Sequence, residues 1–400
     1  MKTLRAIGHL NTATFSALQM MLFTLIPFIS EKTQLSMTSI VASFSVGSFL
    51  FLWSSPFWSS RSDSWGRMKV LCLGMAGLTV STALLVLLLM VPELSDQSSL
   101  ILWASRILYG LTAAGIVPVA QALQIDLNPK KSPMKAMLSN SMSLNIGRAL
   151  GPLYLLIGGG QNMLPVLQGA VVWSMVLFLA NVTLIGKSLQ QTQKAETVSL
   201  ASWFGTFSKM RAVFSLALLF TIFIGILNFS LAAILKKSFA LTGADSSVLM
   251  AQVLLVSAIL AVLTQGLGKV FFKNPWQGSF ILGSLGLLGG SLLLGEMSSQ
   301  GELWGAIAML SLGIALIPPS YLSLMASGHK DTNLGRRTGL VGAANTLGYS
   351  LGGAFAAITF QINRFEVEHL LVAFVVVIGF NIAILYRGRG DQNEVLYAQV

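Results

Sequence analysis

Two arginines lie inside stretches of the chain that carry no other charge. Arg148 lies within the run 137–159, and Arg106 lies six residues into the apolar run 100–125. An arginine at membrane depth costs about 2.5–3.5 kcal/mol on insertion scales, so such a residue usually marks a functional position. Its planar guanidinium can bind a carboxylate or a phosphate through two parallel hydrogen bonds.

The acidic residues lie elsewhere in the chain. All 14 Asp and Glu residues fall in predicted loops or at the ends of apolar runs, so neither arginine has an obvious carboxylate partner at its own depth. Two guanidinium groups that face one cavity would favour an anionic ligand, and we assign Arg106 and Arg148 as candidate substrate-binding residues. Backbone carbonyls or Asn and Gln side chains are the alternative partners.

Small residues and a proline surround Arg148. Gly147 and Gly151 are four apart and share one helical face, so a neighbouring backbone can approach closely there. Pro152 removes a backbone donor and bends the helix. The three residues predict a hinge beside a polar path. The frequency of Gly and Pro in membrane helices is a simpler explanation, but it leaves Arg148 unexplained.

The composition identifies the elements that must position these residues. Hydrophobic residues make up 54% of the chain and charged residues only 10%, against about 25% charged in soluble domains. We therefore predict an all-α integral membrane protein with twelve transmembrane helices. The apolar segments are 8–29, 37–60, 69–91, 100–125, 137–159, 165–186, 212–235, 246–268, 277–295, 303–326, 338–360 and 369–386.

The basic residues orient these spans. If the N-terminus is cytoplasmic, most of the 25 Lys and Arg residues fall on the inner side, and the positive-inside rule then places both termini in the cytoplasm. The net charge of +11 is spread over these inner loops, so it does not indicate nucleic-acid binding. The partner implied by the composition is the lipid bilayer. A single cysteine, Cys72, excludes an internal disulfide.

The two halves of the sequence correspond at an offset of 201 residues. The offset pairs Pro118 with Pro319, Lys135 with Arg336, Gly147 with Gly348, and Gly151 with Gly352. An offset near half the length predicts two pseudo-symmetric six-helix bundles. We place these bundles at 1–186 and 212–400. The polar stretch 187–211 is predicted to be a cytoplasmic linker with a short helix on the inner membrane surface.

The loop after the second apolar segment carries the clearest motif. It reads Ser59-Ser-Arg-Ser-Asp-Ser-Trp-Gly-Arg-Met-Lys69, and this pattern resembles the major facilitator superfamily. Asp63, Gly66, Arg67 and Lys69 match the family motif. Asp126 resembles the family acid that pairs with the basic residue of this loop. The resemblance implies an inner gate, in which the acids and Arg67 pair across the two halves and close the cytoplasmic side.

Two further patterns resemble the same superfamily. Arg106-Ile-Leu-Tyr-Gly110 resembles its fourth-helix pattern, and Gly147-Arg-Ala-Leu-Gly-Pro152 resembles the fifth-helix pattern of exporters that exchange substrate for protons. Superfamily cavities are lined by helices 1, 4, 5, 7 and 11. Polar residues on these helices are therefore further substrate-binding candidates: Asn11, Gln19, Gln121, Asn145, Asn228, Asn345 and Tyr349. Hydrogen bonding between helices is the alternative explanation for most of them.

The resemblance implies a secondary active transporter of the bacterial inner membrane. We expect a monomer that uses the proton gradient, needs no cofactor or metal, and exports a small organic molecule by alternating access. The lack of acids at membrane depth favours an anion such as a carboxylate siderophore. A multidrug efflux antiporter and a proton-symport importer of an organic anion are the alternatives. An integral-membrane enzyme would need a catalytic His or acid at membrane depth or a metal cluster, and none is evident.

Overall fold

The computed structural model describes residues 1–90, 97–127, 133–159, 162–187, 200–271, 275–327, 334–362 and 367–397, and these contain helices but no strand. The α-helices are α1 (Lys2–Thr24), α2 (Ile26–Thr33), α3 (Met37–Trp65), α4 (Arg67–Met90), α5 (Ser98–Thr112), α6 (Ile116–Asp126), α7 (Pro133–Gly158), α8 (Leu164–Leu184), α9 (Leu200–Ser238), α10 (Gly243–Phe271), α11 (Pro275–Glu296), α12 (Gln300–Ser327), α13 (Leu334–Gln361) and α14 (Val367–Tyr397).

Each of the twelve apolar segments falls on one helix or on two consecutive helices. Within the described ranges, eight helical runs are long and apolar enough to cross a membrane, and the bent pair α1–α2 makes a ninth. The all-α membrane fold is therefore confirmed. The remaining spans belong to α7, α13 and α14. Because α7 and α13 carry many small and polar residues, and because the apolar part of α14 is short, the count of twelve stays a prediction.

The first span is broken near its C-terminal end. The axes of α1 and α2 differ by 55°, and Leu25 lies between them. Pro27 is at the start of α2 and has no N–H to donate to the carbonyl of Phe23, one turn earlier. Leu25 instead donates to the Leu22 carbonyl at 3.2 Å. The proline therefore bends the end of the span and changes the direction of α2, which carries Glu31.

The chain divides into two compact units. The first comprises Met1–Glu196 and Asn228–Leu255, and the second comprises Thr197–Leu227 and Val256–Val400. In the first unit α1 packs against α7, α4 against α8, and α3 against α5. In the second, α11 packs against α12 and α14. The linker predicted at 187–211 stays a prediction. The surface helix predicted there falls mainly on residues whose side chains the structure does not describe.

The repeated glycines make the same kind of helix contact in both units. In the first unit, Gly147 and Gly151 of α7 lie against the backbone carbonyl oxygens of Ala13 and Ala17 of α1. In the second, Gly348 and Gly352 of α13 lie against the carbonyl oxygens of Leu218 and Ile222 of α9. A side chain at any of the four would overlap a backbone atom. This correspondence supports the internal duplication seen in the sequence.

Candidate functional site

Close packing of α3 on α5 positions Arg106. Gly47 of α3 lies against the carbonyl oxygen of Arg106, and a Cβ added to Gly47 would be only 2.8 Å from that oxygen. Gly110 of α5 lies against the carbonyl oxygen of Gly47, which would be 2.5 Å from a Cβ added to Gly110. Because neither glycine has a side chain, the two backbones meet. The approach brings Phe44, one turn before Gly47, over the Arg106 guanidinium.

The guanidinium of Arg106 is buried and has no acidic partner in the described part of the chain. The residue is 2% exposed, and none of the ion pairs found between described residues involves it. The carbon at the centre of the guanidinium lies 4.6 Å from the ring centre of Phe44 and 5.2 Å from that of Tyr109. Cation–π contact stabilises the charge only in part, so the site remains suited to an anion.

Tyr109 is a second polar residue of this site. Its ring stacks on that of Phe15, with ring centres 6.0 Å apart, and it also contacts the ring of Phe51, with ring centres 5.2 Å apart. Its hydroxyl is buried and has no hydrogen-bond partner among the described groups. Sequence analysis missed this residue, although its position three residues after Arg106 places both on one helical face.

A small cavity joins these side chains. It is lined by Gln19, Leu22, Phe23, Phe44, Ser48, Arg106 and Tyr109, and it has room for about one water molecule. Gln19 was a predicted substrate residue, and its amide makes no hydrogen bond to any described group. Arg106 and Gln19 are therefore the two predicted residues that the structure brings to one cavity.

The other predicted polar residues lie elsewhere. Arg148 and Asn145 are exposed on α7, and Gln121 is half-buried on α6. These three residues do not line the cavity beside Arg106. The structure therefore gives no support to the expectation that Arg106 and Arg148 face one cavity. Asn228 is half-buried on α9.

In the second unit, Asn345 and Tyr349 are half-buried on α13. Asn345 accepts a hydrogen bond from the Tyr321 hydroxyl at 3.4 Å. Substrate roles for Asn345 and Tyr349, as for Arg148, Asn145, Gln121 and Asn228, stay predictions.

Asn11 makes a contact between two helices. Its side chain is fully buried, and its amide exchanges two hydrogen bonds with the amide of Asn181, at 2.9 and 3.0 Å. This reciprocal pair ties α1 to α8 and uses the polar groups of both amides. This contact fits the alternative that the sequence had left open, and Asn11 is not among the residues that line the cavity beside Arg106. A substrate role for Asn11 stays a prediction.

The residues of the predicted inner gate form a compact charge cluster. Arg67 Nη1 lies 2.5 Å from Asp63 Oδ1, and Arg67 Nε lies 2.9 Å from Asp126 Oδ2. Gly66 has a φ of 93° between α3 and α4, a conformation that glycine adopts without strain. Its turn places Arg67 between the two acids. All of these residues belong to the first unit, so the expected pairing across the two halves does not occur among them. Lys69 is exposed, and it makes no ion pair with any described acid. The gate role of the cluster stays a prediction.

Glu31 makes a contact that the sequence gave no reason to expect. Its Oε2 accepts hydrogen bonds from Lys236 Nζ at 3.1 Å and from the backbone N–H of Gly243 at 2.5 Å. Phe23 of α1 and Phe229 of α9 also pack edge to face, with ring centres 4.9 Å apart. Glu31 therefore joins the end of α2 to the end of α9 and the start of α10.

No group of three or more His, Cys, Asp or Glu side chains that could hold a metal ion occurs within the described ranges. The Gly147, Gly151 and Pro152 segment contacts α1 as described above, and its predicted hinge motion stays a prediction.

Comparison with known proteins agrees with this architecture. Residues 9–331 match the family model of the Major Facilitator Superfamily. The Multidrug resistance protein 2 of Bacillus subtilis (strain 168) is 24% identical over 378 residues, which cover 90% of this chain and 88% of that protein.

Two solved structures share the fold at low sequence identity. A variant of the nucleoside transporter NupG superposes with a TM-score of 0.75 at 12% identity, over 95% of this chain and 98% of that one. The human organic anion transporter MFSD10 superposes with a TM-score of 0.62 at 16% identity, over 95% and 99%. The match over most of the sequence, together with the helical membrane fold, shows that this chain is a membrane transporter of the Major Facilitator Superfamily.

Proposed function

We propose that this transporter exports a small organic anion across the bacterial inner membrane in exchange for protons. One observation carries the proposal: Arg106 is 2% exposed and has no acidic partner among the described residues. A buried charge without a partner is unfavourable. An anionic substrate would supply the missing charge during each transport cycle, and a carboxylate compound such as a siderophore has the required chemistry.

Two observations support export rather than import. The Bacillus relative is named a multidrug resistance protein, and the segment Gly147–Pro152 resembles the fifth-helix pattern of proton-coupled exporters. The same relative favours a second candidate function, which is efflux of several unrelated drugs. Many drugs are cations, and a buried arginine would repel them. The charge of the substrate therefore separates the two functions.

Alternating access gives roles to the two polar clusters. Asp63, Gly66, Arg67, Lys69 and Asp126 form the inner gate in this proposal, since breaking the contacts of Arg67 frees the inner ends of α3, α4 and α6. The Glu31 contact with Lys236 and Gly243 would break in the opposite phase of the cycle. Gly147, Gly151 and Pro152 provide the hinge. The protein acts as a monomer with both termini in the cytoplasm.

The proposal is tested by profiling the metabolites in the medium of two strains that differ only in this gene. Negatively charged compounds should accumulate outside the strain that carries the gene. A purified candidate should then enter inside-out vesicles only when a proton gradient is imposed. A change confined to cationic or neutral compounds would contradict the proposal and favour multidrug efflux.

A further inference from the structure

The unused donors around the small cavity indicate what part of the substrate it holds. We propose that Arg106, Tyr109 and Gln19 form a head-group pocket that accepts one carboxylate of the transported molecule. This inference rests on the proposed function and narrows its substrate class from organic anions to carboxylates. It also assigns a specificity role to Tyr109, a residue outside the predicted site.

Arg106 keeps donors available for a ligand. Ser105 Oγ accepts from Nε at 3.2 Å and from Nη2 at 2.9 Å. No described group accepts a hydrogen bond from Nη1. A guanidinium carries five N–H donors in a rigid fork, so the side that does not face Ser105 can still bind a ligand oxygen. The rings of Phe44 and Tyr109 flank the charge and leave few positions from which an anion could approach it.

The Tyr109 hydroxyl is a fixed and unused donor. The residue is 5% exposed, and its ring packs against Phe15 and Phe51, which also contact each other. Buried hydroxyl groups without a partner are rare in folded proteins. Because the ring lies on the same face of α5 as Arg106 and lines the same cavity, a ligand oxygen in the cavity can accept from both side chains.

The size and lining of the cavity select the shape of the head group. Space for about one water molecule accommodates a single ligand oxygen. A planar carboxylate can insert one oxygen and keep the other at the mouth of the cavity, within reach of the Gln19 amide. A tetrahedral phosphonate has to keep two oxygens at the mouth, where the lining is largely apolar. Leu22, Phe23 and Phe44 favour an apolar group beside the carboxylate.

The test compares three probes that share one ring and differ in the head group: benzoate, phenylphosphonate and benzamide. Isothermal titration of the full-length protein in lipid nanodiscs should show binding of benzoate. Phenylphosphonate and benzamide should bind at least about tenfold more weakly, because the first leaves an additional oxygen against apolar side chains and the second lacks the charge. Equal binding of benzoate and benzamide would overturn the inference.

The variant Tyr109→Phe tests directly whether the Tyr109 hydroxyl binds the carboxylate. The variant should bind benzoate about tenfold more weakly, as expected for the loss of one hydrogen bond to a charged group. Its melting temperature should not fall, because the hydroxyl has no protein partner to lose. Tyr321→Phe is the matched control, since it removes a tyrosine hydroxyl of the second unit that contacts Asn345, and it should bind benzoate like the parent. If Tyr109→Phe does not fold, Gln19→Met removes a second donor, and this variant should also bind benzoate more weakly.

The failure of this inference can be told apart from failure of the proposed function. Unchanged benzoate affinity in Tyr109→Phe or Gln19→Met, or no benzoate binding by the parent protein, would mean that the cavity holds only water. Export of organic anions would still stand or fall by the metabolite profile.

Discussion

Ser105 holds the guanidinium of Arg106. The Ser105 hydroxyl accepts from Arg106 Nη2 at 2.9 Å and from Nε at 3.2 Å. It also donates to the Ser81 carbonyl oxygen of α4 at 2.7 Å, which fixes the direction of its lone pairs. Ser105 is therefore a positioning residue, because it orients the charge and does not line the cavity.

We expect Ser105→Ala to weaken anion binding by roughly tenfold, about 1.4 kcal/mol, since the guanidinium loses the two hydrogen bonds that orient it. Ser105→Thr keeps the hydroxyl and should restore the affinity. Ser81→Ala is the matched control, because the Ser81 hydroxyl donates to Leu78 within its own helix and its backbone carbonyl remains. Equal affinity in Ser105→Ala and Ser81→Ala would show that Ser105 does not orient Arg106.

The contact between α1 and α7 depends on Gly151. An added Cβ there would overlap the Ala17 carbonyl oxygen, and such overpacking usually costs 1–3 kcal/mol, which exceeds the gain of up to about 1 kcal/mol from replacing a helical Gly by Ala. Gly151→Ala should therefore lower the melting temperature. Gly342→Ala in α13 is the control, because no atom lies within 4 Å of a Cβ added there. A melting temperature of Gly151→Ala as high as that of Gly342→Ala would contradict this packing.

Loss of one acid from the inner cluster should impair transport without impairing insertion. Asp126→Asn removes the charge that contacts Arg67 Nε, and Asp63→Asn removes the charge that contacts Nη1. Each variant should slow transport severalfold, and the double variant should slow it further, because Arg67 would then have lost both acidic partners. Transport is measured in vesicles with matched protein content.

Arg61→Gln serves as the control for the inner cluster. Arg61 lies at the same helix end but stacks on Phe57 and Trp65, and it makes no ion pair with a described acid. Normal transport by Asp126→Asn, or an equal defect in Arg61→Gln, would argue against a gate built on Arg67.

The Asn11–Asn181 pair should matter for stability rather than for substrate affinity. Asn11→Ala leaves the buried Asn181 amide unsatisfied, which costs about 1–3 kcal/mol. Replacing both residues by Leu removes the unsatisfied group and should cost less than the sum of the two single changes. Thermal unfolding and ligand titration of the same samples separate the two roles. If Asn11→Ala loses substrate affinity while its melting temperature stays that of the parent, Asn11 acts as a substrate residue.

Local patterns were sufficient to predict the helices, the close contact at Gly147 and Gly151, and the meeting of Asp63 with Arg67. Each depends on spacing within one helix or one turn, which the sequence displays directly. Asn11 and Asn181 are 170 residues apart, and Glu31 and Lys236 are 205 apart. Such pairs depend on the packing of several helices, so no local pattern predicts them.

Tyr109 shows the same limit within the site. Its hydroxyl matters because the surrounding rings of Phe15 and Phe51 hold it beside Arg106 without offering a partner. A tyrosine in an apolar run does not reveal that arrangement. The sequence did identify Arg106, because one charge within an apolar segment is visible without knowledge of the packing.

In the proposed transport cycle, Arg106 binds the negative charge of the substrate. The most direct measurement is proton-driven uptake of an exported organic anion into inside-out proteoliposomes, comparing the parent, Arg106→Lys and Arg106→Gln at equal amounts of folded protein. Arg106→Gln should raise the KM about a hundredfold, as expected for two lost contacts to a charged group, and Arg106→Lys should lie between it and the parent. A folded Arg106→Gln variant that transports the anion with the KM of the parent would show that Arg106 does not bind the charge of the substrate.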